Sequence, residues 1–237
     1  GGGGAADDGG EWRCLVPPPG RHWADPFVAE HEGRHVVFFE DFADARERGR
    51  ILAAEVHRDA APGPPVVALE RPYHLSYPFV FRWNDKLWML PETGANRSVE
   101  LYRCEEFPAR WVLDRVLLEG VSAYDATLVP AGGRWWMFVN VAEPGADCND
   151  ELHLYWSETP LGPWTAHRAN PVVTDVRRAR SAGPLVMRDG LLLRPSQDSS
   201  RRYGEAISIN RVDRLDDEAY LETPVARIRP GSSDGVR

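Results

Sequence analysis

The stretch His22-Trp23-Ala24-Asp25-Pro26-Phe27-Val28 recurs in this sequence as His74-Leu75-Ser76-Tyr77-Pro78-Phe79-Val80. Weaker copies follow, Ser122-Ala123-Tyr124-Asp125-Ala126-Thr127-Leu128 and Arg180-Ser181-Ala182-Gly183-Pro184-Leu185-Val186. The copies lie about 50 residues apart, a spacing typical of architectures that repeat one supersecondary unit. The sequence therefore indicates a repeat protein with four visible units.

Each copy is followed by the same order of segments: a short turn, an apolar run, and a third apolar or alternating run. The turns are His31-Glu32-Gly33, Trp83-Asn84-Asp85, Ala131-Gly132-Gly133 and Arg188-Asp189-Gly190. The second runs are His35–Phe39, Leu87–Leu90, Trp135–Val139 and Leu191–Leu193, and the third are Arg50–Val56, Ser98–Cys104, Glu151–Ser157 and Ala206–Val212. Two strands joined by a Gly- or Asp-containing turn predict a β-hairpin. Three or four antiparallel strands in each unit predict the blades of a β-propeller.

The full prediction is an all-β fold, a five-bladed β-propeller with four clear blades. We expect the fifth blade to combine Leu221–Ile228 with the N-terminal strand Glu11–Val16 and so to close the ring. The sequence stops soon after Pro230, so this blade could be incomplete. Residues 1–10 are rich in Gly, Ala and Asp and predict a flexible leader, and residues 11–237 are predicted to form a single propeller domain.

Composition argues against several classes of partner. The formal net charge is −8 and the acidic residues are spread along the chain, whereas nucleic-acid binding requires a concentrated basic face. No run approaches the roughly 20 apolar residues that span a bilayer. The N-terminus lacks the basic and apolar regions of a signal peptide, so we expect a cytoplasmic protein without a membrane span.

Polar side chains recur where the blades are expected to converge on the propeller axis. The start of the first strand of each unit carries His22 and Asp25, His74 and Tyr77, Tyr124 and Asp125, and Arg180 and Ser181. The end of the second strand carries Glu40, Glu92, Asn140 and Gln197, with Asp198, Arg194 and Tyr203 near the last of these. Because the first strands lie nearest the channel, we predict that these residues form a polar, substrate-binding cluster.

Structural roles stay open for some of these positions. Asp and Asn near strand starts often cap turns, and that interpretation suits Asn140. It suits Asp25 and Asp125 less well, because Tyr77 and Gly183 occupy the same repeat position and show that the turn does not require Asp.

The histidines at the axis leave two interpretations open. His22 and His74 could be satisfied core residues, or they could join Asp25 and Asp125 as ligands of a central metal ion. No compact ligand motif supports a metal, so we predict no cofactor and keep the ion as the minority alternative. Trp23, two residues before Asp25, is predicted to be a platform on which a sugar ring stacks.

At these residues the chain resembles a known propeller domain. The motifs are His22-Trp23-Ala24-Asp25-Pro26-Phe27, His74-Leu75-Ser76-Tyr77-Pro78-Phe79, Pro91-Glu92-Thr93, Tyr124-Asp125-Ala126-Thr127, Arg194-Pro195-Ser196-Gln197-Asp198 and Tyr203-Gly204. They resemble the N-terminal domain of plant glucosamine inositolphosphorylceramide transferases and of bacterial relatives among polysaccharide-biosynthesis proteins, over about residues 11–230. More distantly, the chain is similar to the five-bladed propellers of glycoside hydrolase family 43.

The hydrolase resemblance implies roles for the carboxylates. By position, Asp25 would be the general base and Asp125 the residue that modulates pKa values. The position of the general acid is Ala182, whose methyl group has no proton to give. Glu92 is the predicted substitute acid, and Glu40 is its reserve.

Three functions compete at this point. The first is an enzyme of glycoside-hydrolase-like type that acts on a glycan or sugar metabolite through Asp25, Glu92 and Asp125. The second is a non-catalytic carbohydrate-binding or accessory module in polysaccharide or glycolipid biosynthesis, beside a glycosyltransferase partner. The third, a protein-interaction propeller, lacks its signature residues. The expected ligand of the first two is a carbohydrate or a glycosylated small molecule.

Overall fold

The computed structural model describes residues 15–57, 60–142 and 148–230, and nearly all of its regular structure is β-sheet. Four antiparallel sheets follow one another along the chain. The first blade consists of β1 (Arg21–His31), β2 (Arg34–Ala43), β3 (Arg48–Val56) and β4 (Val66–Leu69), with a short 3-10 turn at Asp44–Arg46. The second consists of β5 (Ser76–Trp83), β6 (Lys86–Glu92), β7 (Ser98–Glu106) and β8 (Arg110–Glu119), with a 3-10 turn at Gly94–Asn96. The predicted β-propeller architecture is confirmed.

The third and fourth blades complete the described fold. The third consists of β9 (Ser122–Ala131), β10 (Arg134–Ala142), β11 (Glu151–Ser157), β12 (Thr165–Ala166) and β13 (Val173–Thr174), of which the last two both pair with β11. The fourth consists of β14 (Val186–Arg188), β15 (Leu191–Asp198), β16 (Ala206–Leu215) and β17 (Tyr220–Ile228). Strands that are consecutive in sequence are neighbours in the sheet, except that β13 pairs with β11 and not with β12.

The four hairpins that join first and second strands share one turn geometry. Both central residues of each turn have positive φ, as type I′ turns require. These pairs are Glu32-Gly33, Asn84-Asp85, Gly132-Gly133 and Asp189-Gly190. Asn, Asp and Gly tolerate this conformation best, so the turn residues explain why the hairpins form at the predicted positions.

The prediction of a fifth blade is wrong. Tyr220–Ile228 is the outer strand of the fourth blade and pairs with β16 from Leu215↔Tyr220 to Ile207↔Ile228. The second half of the expected blade, Glu11–Val16, lies mostly outside the described residues, and Leu15 and Val16 are not in a strand. The strand that we expected in a fifth blade is therefore part of the fourth blade. The leader expected at residues 1–10 also lies outside the described part of the chain.

The core lies between neighbouring blades and brings their first strands together. Phe27 of β1, Phe79 of β5 and Leu128 of β9 belong to one buried cluster. A separate cluster packs the third blade against the fourth through Phe138 and Tyr220, whose ring centroids are 5.7 Å apart. This packing fixes the first strands near the axis. In the described ranges no helix is both long and apolar enough to cross a membrane.

Candidate active site at the propeller axis

A left-handed backbone conformation marks the same repeat position in all four blades. The φ angles are 50° at Asp25, 43° at Tyr77, 51° at Asp125 and 130° at Gly183. In the first three blades the register of the first two strands shifts here, which is a β-bulge. Bulges re-aim side chains, and positive φ at a residue with a Cβ persists where the surrounding structure imposes it. Asp and Tyr at these positions are therefore held by their contacts with one another.

The Tyr77 side chain joins three blades. Its hydroxyl accepts the backbone N–H of Gly183 at 2.9 Å and lies 2.8 Å from Thr127 Oγ1. The Tyr77 backbone N–H donates to Asp25 Oδ2 at 3.3 Å. Only 3% of Tyr77 is exposed. The hydroxyl therefore has hydrogen-bond partners inside the protein both as an acceptor and at Thr127. Tyr77 supports the site and does not offer a free hydroxyl to a substrate.

Asp125 is buried and ion-paired. Arg180 Nε donates to Asp125 Oδ2 at 2.7 Å, and Gln197 Nε2 donates to the same oxygen at 3.3 Å. The Arg180 guanidinium carbon also lies 5.8 Å from the ring centroid of Tyr124 and 5.9 Å from that of Tyr203. Such cation–π contacts and a bonded carboxylate fix the arginine in place. Two of the predicted site residues therefore bind Asp125, and two more contact the arginine that pairs with it.

Glu92 is enclosed beside this pair. It is 8% exposed, and its Oε2 lies 3.7 Å from Arg180 Nη2. Burial raises the pKa of Glu92 well above its usual range, and the charge of Asp125 and a hydrogen bond between the two carboxyls raise it further. The charge of Arg180 acts in the opposite direction and lowers the pKa of Glu92.

Asp25 and Glu40 are two further carboxyls with raised pKa values. Burial, followed by the charge of Asp125, raises the pKa of Asp25 to about 6. Burial, followed by the charges of Asp25 and Asp125, raises the pKa of Glu40 to about 7. Near neutral pH Asp25 is therefore mainly ionised, while Glu40 still carries a proton in much of the population. This division suits general acid–base chemistry.

His74 faces Glu40 in a defined tautomer. The backbone N–H of Gly49 donates to His74 Nδ1 at 2.9 Å, so the ring hydrogen of the neutral imidazole is on Nε2. That Nε2 lies 3.5 Å from Glu40 Oε1. Burial lowers the pKa of His74, which keeps the imidazole neutral near pH 7.

A cavity of about 550 Å³ opens beside these groups. Asp25, Tyr77 and Gln197 line its polar end. The remaining lining residues are mainly apolar and are Pro26, Phe27, Ala182, Gly183, Tyr203, Gly204, Ala206, Ile207, Ile228, Arg229 and Pro230. Tyr203 is 68% exposed, so its ring is free to contact a ligand. A cavity with a few convergent polar groups in an apolar wall is typical of small-ligand sites.

Arg194 has a structural position that the sequence did not suggest. Its side chain is completely buried and forms two 2.8 Å hydrogen bonds to Glu222. It also donates to the carbonyl oxygen of Arg178 at 2.6 Å and to that of Ala179 at 3.4 Å. We correct its assignment as a substrate ligand, because its donors hold the backbone segment that leads to Arg180.

Asn140 and Asp198 are likewise turned inward. Asn140 is fully buried, donates to the carbonyl oxygen of Glu151 and accepts the N–H of Ser181. Asp198 is 3% exposed and pairs with Ser200 and Arg227. Their contacts are those of structural residues, which corrects their placement among the substrate ligands.

His22 and Trp23 lie in blade one but outside the carboxyl cluster. His22 is exposed and lies 3.1 Å from Asp44. The Trp23 indole N–H donates to Asp41, and its ring packs against Phe39 at 4.9 Å between centroids. The prediction of a sugar-stacking platform at Trp23 therefore has no support from these contacts, and Tyr203 is the exposed ring beside the cavity.

Sequence reasoning missed several supporting residues. Thr127 binds the Tyr77 hydroxyl, Glu222 binds Arg194, and Gly49 fixes His74. Thr127 lies two residues after Asp125 in the repeat and could have been found there. Glu222 and Gly49 carry no signal in the repeat, because their partners come from other segments. For a metal, no group of three or more His, Cys, Asp or Glu within the described ranges has a suitable arrangement.

Residues 16–235 match the family described as "Glucosamine inositolphosphorylceramide transferase 1, N-terminal". The chain belongs to this family. It is 35% identical over 220 residues to glucosamine inositolphosphorylceramide transferase 1 of rice, Oryza sativa subsp. japonica, and the match covers 90% of the chain. The same match covers 29% of the rice protein, so the chain spans less than a third of that relative. A plant relative gives no support to a bacterial source.

Glycoside hydrolases share the fold. Zg3597, a family 117 glycoside hydrolase of Zobellia galactanivorans, aligns over 89% of this chain and 71% of its own, with a TM-score of 0.68 and 12% identity. The exo-β-1,3-galactanase 1,3Gal43A of Clostridium thermocellum aligns over 86% of this chain and 50% of its own, with a TM-score of 0.67 and 13% identity. At such low identity the likeness concerns the fold alone.

Proposed function

We propose that this propeller is a carbohydrate-acting enzyme that hydrolyses a glycosidic bond by acid–base chemistry at the axis. The observation that carries the proposal is the group of carboxyls at the axis: Asp25 lines the cavity, Glu40 lies on the neighbouring strand opposite Ala24, and Asp125 is bound by Arg180. Burial raises the pKa of Asp25 to about 6 and that of Glu40 to about 7. Simple sugar binding does not need neighbouring carboxyls that titrate close to neutrality, whereas proton transfer to and from a glycoside does.

Asp25 is the general base in this proposal. Its carboxylate lines the cavity, and at neutral pH it is mainly ionised, so it can take a proton from a water molecule. Asp125 is bound by Arg180, and its charge raises the pKa of both Asp25 and Glu92. A general acid must also deliver a proton to the leaving oxygen, and Glu92 and Glu40 are the two glutamates at the axis whose pKa values are raised.

The exposed ring of Tyr203 and the amide of Gln197 supply the remaining contacts with a sugar. A tyrosine ring offers an apolar face on which a sugar can stack, and Gln197 lies at the polar end of the cavity. The hydrolase-fold neighbours and the transferase named in the family both act on sugar linkages according to their names, which agrees with a carbohydrate ligand.

A second candidate is a carbohydrate-binding accessory module. Ala182 at the cavity wall offers no proton, and Glu92 is enclosed and does not line the cavity. In this alternative the propeller would hold a glycan or glycolipid for a glycosyltransferase partner, such as the remaining part of a longer chain like the rice relative. The compartment in which either function operates remains a prediction.

A turnover and binding screen separates the two candidates. Wild type, Asp25→Asn and Glu92→Gln are assayed with 2,4-dinitrophenyl glycosides of several sugars and with oligosaccharides, and Asp114→Asn is the surface control. Hydrolysis by wild type and the control that falls at least about 10²-fold in Asp25→Asn supports the enzyme. Hydrolysis that survives in Asp25→Asn contradicts the assignment of the base. Binding detected by calorimetry without hydrolysis of any substrate supports the accessory module.

A further inference from the structure

Glu40 lies beside Asp25 on the neighbouring strand of the same blade. It pairs with Ala24 across β1 and β2, so the two carboxyl-bearing residues are adjacent across the ladder. The Glu40 side chain is 12% exposed. Its carboxyl accepts no hydrogen bond within the described residues. Neither oxygen belongs to the buried side-chain atoms that lack a hydrogen-bond partner there. This carboxyl is thus partly open, and His74 Nε2 lies within ion-pair distance of it.

Gly49 makes room for this carboxyl. A Cβ at position 49 would lie 2.6 Å from Glu40 Oε1 and 2.4 Å from the carbonyl oxygen of Leu75, both well inside contact distance. The N–H of the same glycine fixes the tautomer of His74, whose Nε2–H lies 3.5 Å from Glu40 Oε1. A neutral N–H at this place favours the carboxylate once the proton has left. Glu40 therefore occupies a space that the absence of a side chain at Gly49 leaves open, with the His74 Nε2–H beside it.

Glu92 has the opposite surroundings. Its Oε2 is completely enclosed and has no hydrogen-bond partner of its own among the described residues. Its neighbour Asp125 is bound by Arg180 and Gln197. Glu92 is also not among the residues that line the cavity, and its enclosed Oε2 is not presented to a ligand there.

The charged and titratable groups that face Glu40 come from several elements. They are Asp25 and Asp41 of the first blade, His74 before β5, Asp125 of β9, and Tyr203 between β15 and β16. Three of the five are carboxyls, so ionising Glu40 adds a negative charge to an already negative site. Burial, together with these negative charges, is the reason that the pKa of Glu40 is raised to about 7.

We propose that Glu40 is the general acid of this site and that His74 is a positioning residue that acts through it. The inference rests on the proposed function. The oxygen of a water molecule forms a bond to the anomeric carbon while Asp25 takes a proton from it. The bond from that carbon to the glycosidic oxygen breaks, its electron pair stays on the oxygen, and the oxygen takes the proton of Glu40. The proton on Asp25 then returns to Glu40 through water, while Glu92 only supports Asp125.

The first test needs no substrate. Protein with ¹³C-labelled Glu side chains is titrated by NMR, and Glu40→Gln identifies the Glu40 carboxyl resonance. We expect a midpoint near pH 7 for this resonance, unchanged in the control Glu32→Gln, and a higher midpoint in His74→Asn because the neighbouring N–H is lost. A midpoint near the ordinary value of about 4.5 overturns the assignment. An unshifted midpoint in His74→Asn overturns the role of His74.

The second test separates Glu40 from Glu92 by the leaving group. A 2,4-dinitrophenolate departs without protonation, whereas a methoxyphenolate needs the acid. We expect Glu40→Gln to keep activity within a few fold on dinitrophenyl glycosides and to lose about 10²–10⁴-fold on methoxyphenyl glycosides. Glu92→Gln should lose similar factors on both. The reverse pattern overturns the proposal while leaving the enzyme in place, and absence of wild-type hydrolysis on every substrate overturns the proposed function itself.

Discussion

The backbone N–H of Gly183 donates a 2.9 Å hydrogen bond to the hydroxyl oxygen of Tyr77, across 106 residues of chain. This bond joins the second blade to the fourth at the same repeat position in each. It also borders the cavity, since both residues line it. The site therefore depends on a contact between blades that are distant in sequence.

Removal of the Tyr77 hydroxyl should loosen this contact. Tyr77→Phe leaves the buried Thr127 Oγ1 and the Gly183 N–H without their partner, and we expect a loss of about 1–3 kcal/mol in the free energy of unfolding, measured in urea. Tyr155→Phe is the control, since this partly buried tyrosine makes no side-chain hydrogen bond within the described ranges. Equal losses in the two variants would contradict the bridging role.

The buried pair of Arg194 and Glu222 should be costly to break. Arg194→Met leaves a carboxylate in the interior and releases the carbonyl oxygens of Arg178 and Ala179. We expect destabilisation of about 3–5 kcal/mol by chemical denaturation. Arg211→Met removes an exposed arginine that pairs with Asp213 and should cost less than about 1 kcal/mol. A loss of stability in Arg194→Met as small as that in Arg211→Met would contradict the structural role of Arg194.

Gly49→Ala should displace the Glu40 carboxyl. The added Cβ meets Glu40 Oε1 and the Leu75 carbonyl oxygen, so the glutamate must move or the loop must shift. We expect lower thermal stability together with a changed NMR titration midpoint of the Glu40 carboxyl. Gly63→Ala is the matched control, because the nearest atom to its Cβ would be 3.7 Å away. A Gly49→Ala protein with an unaltered Glu40 midpoint would show that this space is not needed.

The raised pKa of Glu40 makes stability depend on pH. The native state keeps a proton up to about pH 7, whereas the unfolded chain loses it near pH 4.5. This group therefore favours the folded state fully below about pH 4.5 and progressively less as the pH rises to about 7. Glu40→Gln removes the charge, so we expect it to be more stable than wild type by about 2–3 kcal/mol at pH 8. At pH 4 the two proteins should be nearly equal in urea unfolding, and a gain that is the same at both pH values would contradict the raised pKa.

Most of the fold could be predicted from the repeat, because hairpin turns and strand alternation are local properties of the chain. The turns at Asn84 and Asp189 and the bulge at Asp25 lie where the alignment places them. The blade count could not be read in this way. Whether Tyr220–Ile228 completes the fourth blade or starts another depends on which neighbour it pairs with, which is a tertiary property.

The site shows the same division between local and tertiary information. Alignment brought Asp25, Glu92 and Asp125 together correctly as neighbours, since their repeat positions converge on the axis. It also placed Arg194 there, because a polar residue next to the axis looks the same in sequence whether it faces the cavity or a buried Glu222. Burial and pairing, which decide between these cases, depend on segments far away along the chain.

The most direct test of the acid–base account is the pH dependence of kcat/KM on the glycoside that wild type hydrolyses best. The account predicts a bell-shaped profile with a maximum between about pH 6 and 7, from ionised Asp25 and protonated Glu40. Asp25→Asn should lose the limb that rises near pH 6 together with at least about 10²-fold in rate. A profile that is flat from pH 4 to 8, or one that Asp25→Asn leaves unchanged, would contradict the account.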